Sequence, residues 1–232
     1  MIINSLLDTD LYKFTTSYAY VKLFPNAWGT FVFKDRDETI CSDEFLSRLK
    51  AEVHDLANVQ LRTDELEYMC SHCRFVPRVY WEWLSSFRFD PDKVTLYEVP
   101  LLAIVTELQN LTLGNVADKD QVLAKLFEKV ELSNKHQISF SEFGTRRRFS
   151  LGVQDAVINY LNENSFYCTG TSNCHFAMKY NMKMMGTHPH EWFMFHGAQF
   201  GYKHANYMAL ENWVNVYDGD LGTALADTYT SE

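Results

Sequence analysis

Two imidazoles and a carboxylate lie in the four-residue stretch His188-Pro189-His190-Glu191. The apolar run before it ends at Gly186-Thr187, so we expect the imidazoles at the carboxyl end of a short buried strand, where parallel α/β folds build active sites. A neutral imidazole nitrogen attacks phosphoryl groups or carries protons at cellular pH, and Glu191 is close enough in sequence to orient one ring. A His-x-His pair in this place also ligates metals. The residues alone leave both chemistries open.

Three Gly-Thr pairs follow strands that the sequence predicts, and each has polar neighbours. Glycine lets the backbone bring its N–H groups close to a ligand, and the hydroxyl adds a donor, so both suit phosphate oxygens. The pattern therefore predicts a pocket for oxyanions. The pairs are Gly144-Thr145, Gly170-Thr171 (continued by Ser172 and Asn173) and Gly186-Thr187.

The run Arg146-Arg147-Arg148 departs sharply from the acidic character of the chain, whose formal net charge is -9. Guanidinium groups match phosphate or carboxylate oxygens in a bidentate manner. A solvated basic corner at a helix start is the alternative. Cations are poorly placed near a helix N-terminus unless an anion lies between them, which favours an anion site.

Composition bounds the class of protein. A chain of 232 residues with 47% hydrophobic residues suits one large domain or two small ones. The net negative charge disfavours duplex nucleic acid and anionic membranes as partners. No apolar run approaches the roughly 20 residues of a membrane span, and the N-terminus does not resemble a signal peptide. The five cysteines lack regular spacing, which indicates reduced thiols, so we expect a cytoplasmic protein.

The first half of the chain predicts an α+β domain over residues 1–115. Thr9 or Asp8 is expected to cap a first helix that stops before Pro25. Cys70 and Cys73 have half the spacing of a zinc site, but two cysteines on a buried helix face fit as well, so we predict no metal site. Strands are predicted at 29–36 and 93–100, and helices at 42–57, 63–73, 77–87 and 101–113.

The second half, residues 116–232, predicts alternating helices and strands. Short connections between them favour a parallel sheet or barrel. Helices are predicted at 119–134, 151–163, 173–181 and 199–217, and strands at 138–140, 166–168, 183–186 and from Gly222 onward.

Several segments, in their order along the chain, together resemble the nicotinate phosphoribosyltransferase family. Each segment is weak alone, and their shared order is specific. They are Leu7-Asp8-Thr9-Asp10-Leu11-Tyr12-Lys13, the stretch from Glu98 to Ile104, the stretch from Glu142 to Arg147, Gly170-Thr171-Ser172-Asn173, Gly186-Thr187 with His190-Glu191-Trp192, Ala205-Asn206 with Ala209-Leu210 and Trp213, and the stretch from Gly222 to Thr228.

This resemblance implies a fold, a reaction and partners. The fold would be an N-terminal α+β domain followed by part of a TIM-like α/β barrel of the type II phosphoribosyltransferase kind. The reaction would join nicotinate to phosphoribosyl pyrophosphate in the salvage route of NAD biosynthesis, giving nicotinate mononucleotide and pyrophosphate. ATP hydrolysis would be coupled through a phosphohistidine, with Mg²⁺ expected beside the phosphates. Members are homodimers with shared active sites.

The resemblance also implies roles for particular residues. His190 matches the phosphorylated histidine, and Tyr12 and Thr187 match residues that contact nicotinate, Tyr12 by stacking. Arg146 and Arg147 match arginines near phosphate or carboxylate groups. Gly170, Thr171, Ser172 and Asn173 would form the floor of the pocket.

Length argues for a C-terminally truncated member, because a closed eight-stranded barrel alone takes about 250 residues. Two alternatives stay open. One is a metal-dependent hydrolase that uses His188 and His190 as ligands. The other is a non-catalytic fragment of the transferase.

Overall fold

The computed structural model describes residues 1–34, 41–86, 94–225 and 227–229, and within these ranges helices dominate. The strands are β1 (Phe140–Glu142) and β2 (Cys168–Thr171), and a single 3₁₀ turn spans Thr145–Arg147. The helices are α1 (Leu11–Leu23), α2 (Asp43–Leu56), α3 (Thr63–His72), α4 (Arg78–Ser85), α5 (Val94–Thr112), α6 (Lys119–His136), α7 (Leu151–Asn164), α8 (Cys174–Tyr180), α9 (His190–Phe200) and α10 (Ala205–Tyr217).

Helices with strong local signals lie where the sequence predicts them. The Ser42 side chain accepts a hydrogen bond from the Phe45 N–H and so caps α2, and the Glu65 carboxylate accepts from the Arg62 N–H at the start of α3. Helix α1 ends at Leu23, before Pro25, as predicted. The predicted cap of α1 at Thr9 or Asp8 is wrong, because Asp10 takes the capping position and makes no side-chain cap.

The predicted strand at 93–100 is wrong, because Val94–Thr112 form one helix; Lys93 lies outside the described residues. Leu96, Tyr97 and Val99 are all buried, so several faces of α5 carry apolar side chains and imitate the alternation of a strand. Pro100 lies inside this helix. The predicted strand at 29–36 is also absent from its described part, residues 29–34, while residues 35 and 36 lie outside the described ranges.

Two short parallel strands replace the longer sheet that the sequence predicts. Phe140 pairs with Cys168 and Glu142 with Thr171, and one further parallel bridge joins Thr171 to Met184. The predicted strand at 183–186 is therefore reduced to this bridge, and no strand follows Gly222 in the described residues up to 229; Ala226 lies outside them. The structure is a helix-rich mixed α/β fold, and the barrel stays a prediction.

The helix predicted at 199–217 is two helices, α9 and α10, separated near Gly201. Gly201 has φ 78°, a left-handed conformation that interrupts the helical hydrogen bonds. Helix α9 begins earlier than predicted, at His190, with Pro189 before it. Proline suits this place because its fixed φ and missing N–H cost little at a helix start.

One buried apolar cluster includes residues from both predicted domains. Phe14, Trp81 and Ile104 come from the first half, and Trp192 and Trp213 from the second. Helix α1 packs against both α5 and α10, and α9 packs against α10. The division into residues 1–115 and 116–232 stays a prediction. Within the described ranges, no helix combines the length and apolar character needed to cross a membrane.

Candidate active site

A cavity of about 810 Å³ opens where α1, α5, the 3₁₀ turn and the start of α9 meet. Such a volume lies within the range of small-molecule sites. One part of the lining is apolar and aromatic, including Phe195, whose ring centroid lies 5.1 Å from that of Tyr20 and 4.8 Å from that of Phe24. The other part is polar and includes Asp10, Tyr12, Lys13, Thr95, Glu98, Arg146, Thr187, His190 and Glu191.

Four of the residues expected in the site line this one cavity: Tyr12, Arg146, Thr187 and His190. They come from three different parts of the chain, which the packing of α1, α5 and α9 brings together. Arg147 is exposed and is not among the lining residues. Gly170, Thr171, Ser172 and Asn173 are buried and likewise do not line it.

His190 is the first residue of α9, and about half of its side chain (52%) is exposed. Its Nδ1 lies 3.0 Å from the Thr228 hydroxyl, and its Nε2 lies 3.9 Å from a carboxylate oxygen of Asp227. An imidazole held in this way keeps access to the cavity while its orientation is restricted. It is therefore chemically suited to nucleophilic attack or proton transfer.

His188 has a different environment. The side chain is buried, its Nε2 donates to the Leu221 carbonyl at 3.2 Å, and its ring lies 4.4 Å from the Trp213 ring. Burial lowers the pKa of this imidazole. His188 thus holds residues around 221 against the core rather than facing a ligand together with His190.

The described residues contain no group of three or more His, Cys, Asp or Glu side chains placed to hold a metal ion. Cys70 and Cys73 are free thiols on or just after α3, and burial raises the pKa of both. His188 is buried against Leu221 while His190 lines the cavity, so the two imidazoles are not arranged as the ligand pair that the metal-dependent hydrolase would need.

Lys13 is one of the site residues that sequence reasoning missed, together with Asp10 and Glu98. Its side chain is completely buried (0% exposed), and its ammonium group forms ion pairs with Glu98 and, at 2.8 Å, with Glu191. The Thr95 hydroxyl donates to the second carboxylate oxygen of Glu191. Glu191 therefore binds Lys13 and Thr95, whereas the sequence suggested that it orients a histidine.

The three consecutive arginines point into three environments. Arg146 lines the cavity, with its guanidinium 3.9 Å from a Glu98 carboxylate oxygen. Arg147 is exposed. Arg148 is buried and donates to both carboxylate oxygens of Asp8, at 2.8 and 2.9 Å. Of these three arginines, only Arg146 is thus placed to meet an anion inside the cavity.

Ser172 and Asn173 lie behind the cavity lining and bind the segment that leads into α1. The Ser172 hydroxyl donates to the Asp10 carboxylate at 2.7 Å, and the Asn173 amide donates to Asp8 at 2.9 Å. The main chain is joined as well, because the Leu11 N–H donates to the Ser172 carbonyl at 2.8 Å. These residues therefore position the segment that carries Asp10 and Tyr12.

Asp10 combines burial with a place in the cavity lining. Burial raises the pKa of its carboxyl to about 6, with the Glu142 carboxylate adding to the rise and the Ser172 hydroxyl opposing it. Burial also raises the pKa of the Tyr12 phenol, so this side chain stays neutral at cellular pH. The site therefore offers a neutral ring beside a carboxyl whose pKa is raised to about 6.

A sequence signal existed for the missed residues. Asp10, Lys13 and Glu98 all lie in the segments that carry the family resemblance. Nothing local in those segments shows that Lys13 contacts Glu191, because the two residues are 178 positions apart.

Two family models match the chain. One, described as the nicotinate phosphoribosyltransferase (NAPRTase) N-terminal domain, matches residues 7–103. The other, described as the nicotinate phosphoribosyltransferase (NAPRTase) family, matches residues 138–232.

Individual proteins agree with these models. A crystal structure of nicotinate phosphoribosyltransferase from Porphyromonas gingivalis is similar to 99% of the chain, with a TM-score of 0.95 and 45% identity. The nicotinate phosphoribosyltransferase of Chromohalobacter salexigens is 38% identical over 99% of the chain, and that of Methanosarcina acetivorans is 37% identical over 100% of it. The chain spans 65% of the first two proteins and 66% of the third.

Proposed function

This chain belongs to the nicotinate phosphoribosyltransferase family, and we propose that it takes part in joining nicotinate to phosphoribosyl pyrophosphate, with ATP hydrolysis coupled through a phosphohistidine. The products are nicotinate mononucleotide and pyrophosphate, so the reaction serves NAD biosynthesis. The observation that carries the proposal is the shared cavity of Tyr12, Arg146, Thr187 and His190.

The coupling step uses His190 as nucleophile. A neutral ring nitrogen attacks the γ-phosphorus of ATP, a P–N bond forms, the P–O bond to ADP breaks, and ADP leaves with the bonding pair. Water later cleaves the P–N bond and releases phosphate. The position of His190 at the first residue of α9 supports this role, because helix N-termini favour the added negative charge.

The transfer step displaces pyrophosphate from C1 of the ribose. The C–O bond to pyrophosphate breaks, the C–N bond to the nicotinate ring nitrogen forms, and pyrophosphate leaves as an anion. Tyr12 stacks on the nicotinate ring and Thr187 contacts the same substrate. Arg146, whose guanidinium is 44% exposed in the cavity lining, binds phosphate or carboxylate oxygens. Arg147 is exposed and does not line the cavity, and its role as a second contact to these anions rests on the family resemblance alone.

Residues 170–173 act indirectly in this proposal. Gly170 and Thr171 belong to β2, and Ser172 and Asn173 bind Asp10 and Asp8 from beneath the cavity. They hold the segment that carries Tyr12 in place. This differs from the direct substrate contact that the family resemblance implies for them.

Mg²⁺ is expected to accompany the phosphates, but the residues present do not form a protein cage for it. Glu98 and Glu191 line the cavity and are both paired with Lys13, and no group of three potential ligands occurs in the described residues. We therefore assign no step of the reaction to the metal.

The proposal extends to the assembly and the fold of the whole protein. We infer a homodimer with shared active sites, and a TIM-like barrel of the type II phosphoribosyltransferase kind to which residues 116–232 contribute, preceded by an α+β domain over residues 1–115. The family of the chain supports both. The cytoplasmic location expected from the sequence stays a prediction.

The decisive experiment looks for phosphate on His190. The protein is incubated with ATP labelled at the γ-phosphorus, and acid-labile, base-stable label is mapped by peptide mass spectrometry. We expect label on His190, none in His190→Ala, and normal labelling in a control variant of an exposed histidine outside the cavity, His54→Ala. Calorimetry with nicotinate and with phosphoribosyl pyrophosphate measures substrate binding separately.

The outcomes separate the candidate functions. Label on His190 together with binding of both substrates supports the transferase. Equal labelling of the protein and of His190→Ala contradicts the role of His190. Absence of label and of binding to either substrate favours the non-catalytic alternative.

A further inference from the structure

The buried ammonium group of Lys13 connects α1 to the start of α9. The 2.8 Å ion pair with Glu191 joins residues that lie 178 positions apart, and the Lys13 side chain is completely buried. A buried lysine is costly to keep charged unless carboxylates neutralise it, and Glu98 and Glu191 together do so. The pair therefore has one strongly preferred geometry.

Glu191 is held at more than one point. One carboxylate oxygen accepts from Lys13 and the other from the Thr95 hydroxyl, while the Tyr20 hydroxyl donates to the Glu191 main-chain carbonyl at 3.3 Å. Side chains of α1 and α5 thus bind both the side chain and the main-chain carbonyl of Glu191, the second residue of α9.

His190 itself has weaker restraints. Its side chain is half exposed, and its described polar contacts are with Asp227 and Thr228. Pro189 occupies the N-cap position of α9, and its side chain makes no hydrogen bond to the N–H groups of the first turn. The direction in which the imidazole enters the cavity is therefore set mainly by the backbone of the first turn of α9, which Glu191 anchors.

We propose that Lys13, through its ion pair with Glu191, is a positioning residue that fixes the start of α9 and so aims the His190 imidazole into the cavity. Lys13 does not touch the transferred phosphate in this proposal. The carboxylates of Glu98 and Glu191 neutralise the positive charge of Lys13. Arg146 is therefore the residue proposed to bind the substrate phosphate or carboxylate groups.

The proposal deepens the proposed function and rests on it only for the meaning of His190 phosphorylation. A chemical readout that needs neither ATP nor substrate keeps the two separable. Diethyl pyrocarbonate carbethoxylates neutral imidazole, and peptide mass spectrometry gives a rate for each histidine. The exposed His54 serves as the internal reference in every digest.

Four variants make the test specific. Lys13→Met removes the ammonium group. Lys13→Met/Glu98→Gln removes it without changing the net charge of the cavity, and so remains informative if the single variant does not fold. Glu191→Gln weakens the pair from the other side and leaves Lys13 neutralised by Glu98. Lys22→Met is the matched control, because Lys22 lies on the same helix and donates to the Val216 carbonyl outside the cavity.

Loss of positioning and loss of charge predict different results. Positioning predicts that the first three variants all carbethoxylate His190 faster, by about threefold or more relative to His54, because the ring leaves Thr228. It also predicts that all three form acid-labile phosphate at least about tenfold more slowly. A purely electrostatic effect makes Lys13→Met and Glu191→Gln act in opposite directions, since one removes a positive and the other a negative charge.

Unchanged His190 reactivity in folded Lys13→Met/Glu98→Gln overturns the proposal, and so does a change of equal size in Lys22→Met. Faster carbethoxylation without any phosphate label in the unsubstituted protein would support the positioning role and contradict the proposed phosphohistidine. The two ideas can therefore fail independently.

Discussion

The guanidinium group of Arg148 grips both carboxylate oxygens of Asp8, a residue 140 positions earlier in the chain. Both side chains are almost fully buried, and the same carboxylate also accepts from the Asn173 amide. The contact fastens the segment before α1 to the region around β2. It therefore bears on the stability of the whole cavity.

Removing one partner of this pair should strongly destabilise the protein. Arg148→Met leaves Asp8 as a buried carboxylate without its cation, a change that costs about 3–5 kcal/mol in comparable buried pairs. The measurement is the free energy of unfolding in urea. Arg147→Met is the matched control, because Arg147 is exposed, and we expect a change within about 0.5 kcal/mol. A similar loss of unfolding free energy in both variants would contradict a stabilising role for the buried Arg148–Asp8 pair.

Asp10 should make stability depend on pH. Burial raises the pKa of its carboxyl from 3.8 to about 6, so between these values the folded protein keeps a proton that the unfolded chain has lost. The contribution of the protonated Asp10 carboxyl to the free energy of unfolding is thus fully present below about pH 4. It is lost as the pH rises through 6, which lowers the free energy of unfolding by up to about 3 kcal/mol. Asp10→Asn should gain stability relative to the unsubstituted protein over this interval. Urea unfolding at pH 4, 5, 6 and 7 tests this, and a constant difference between the two proteins would contradict it.

Gly170 should not tolerate a side chain. It has φ 149°, and an added Cβ would lie 2.1 Å from the Lys183 carbonyl oxygen. Gly170→Ala should therefore disrupt the pairing of residue 171 with 184 and cost on the order of 2 kcal/mol or more. Gly152→Ala is the control, since nothing lies within 4 Å of its added Cβ and it sits in α7; there we expect a gain of up to about 1 kcal/mol. Thermal unfolding of both variants gives the comparison.

Tyr12 should matter for nicotinate through its ring. Tyr12→Ala removes the proposed stacking partner, worth about 1 kcal/mol, and should weaken nicotinate binding about fivefold. Tyr12→Phe keeps the ring and should bind nearly as well. Calorimetry provides both dissociation constants, with phosphoribosyl pyrophosphate as the second ligand. Equal weakening for both ligands would mean that Tyr12 does not stack on nicotinate.

Features with a local cause could be predicted from the sequence. Ser42 caps α2 because its hydroxyl reaches an N–H three residues away, and Pro25 follows the end of α1 because proline does not continue a helix. The resemblance of short segments identified the family, and it singled out Tyr12, Arg146, Thr187 and His190, which the packing places in one cavity.

Features with a distant cause could not be predicted. Helix α5 resembles a strand in sequence because its partners bury several of its faces, and those partners are invisible locally. Arg146 lines the cavity near Glu98, whereas Arg148 is buried against Asp8. Both acidic partners lie far away in the chain, so the sequence around the arginines does not show this difference. The role of Lys13 likewise exists only once α1, α5 and α9 have packed together.

The pairing of residues 7–11 with residues 172–175 also has a consequence for biosynthesis. The N–H groups of Cys174 and His175 donate to the carbonyls of Thr9 and Leu7. Residues 7–11 are synthesised early, so they cannot form these hydrogen bonds until the ribosome has also made residues 172–175. At about 5–20 residues per second, that delay is on the order of 10–30 seconds. During this time Leu7 and Leu11 lack these partners, although Phe14 can already pack against Trp81, and the nascent chain should be a client for chaperones that shield apolar segments.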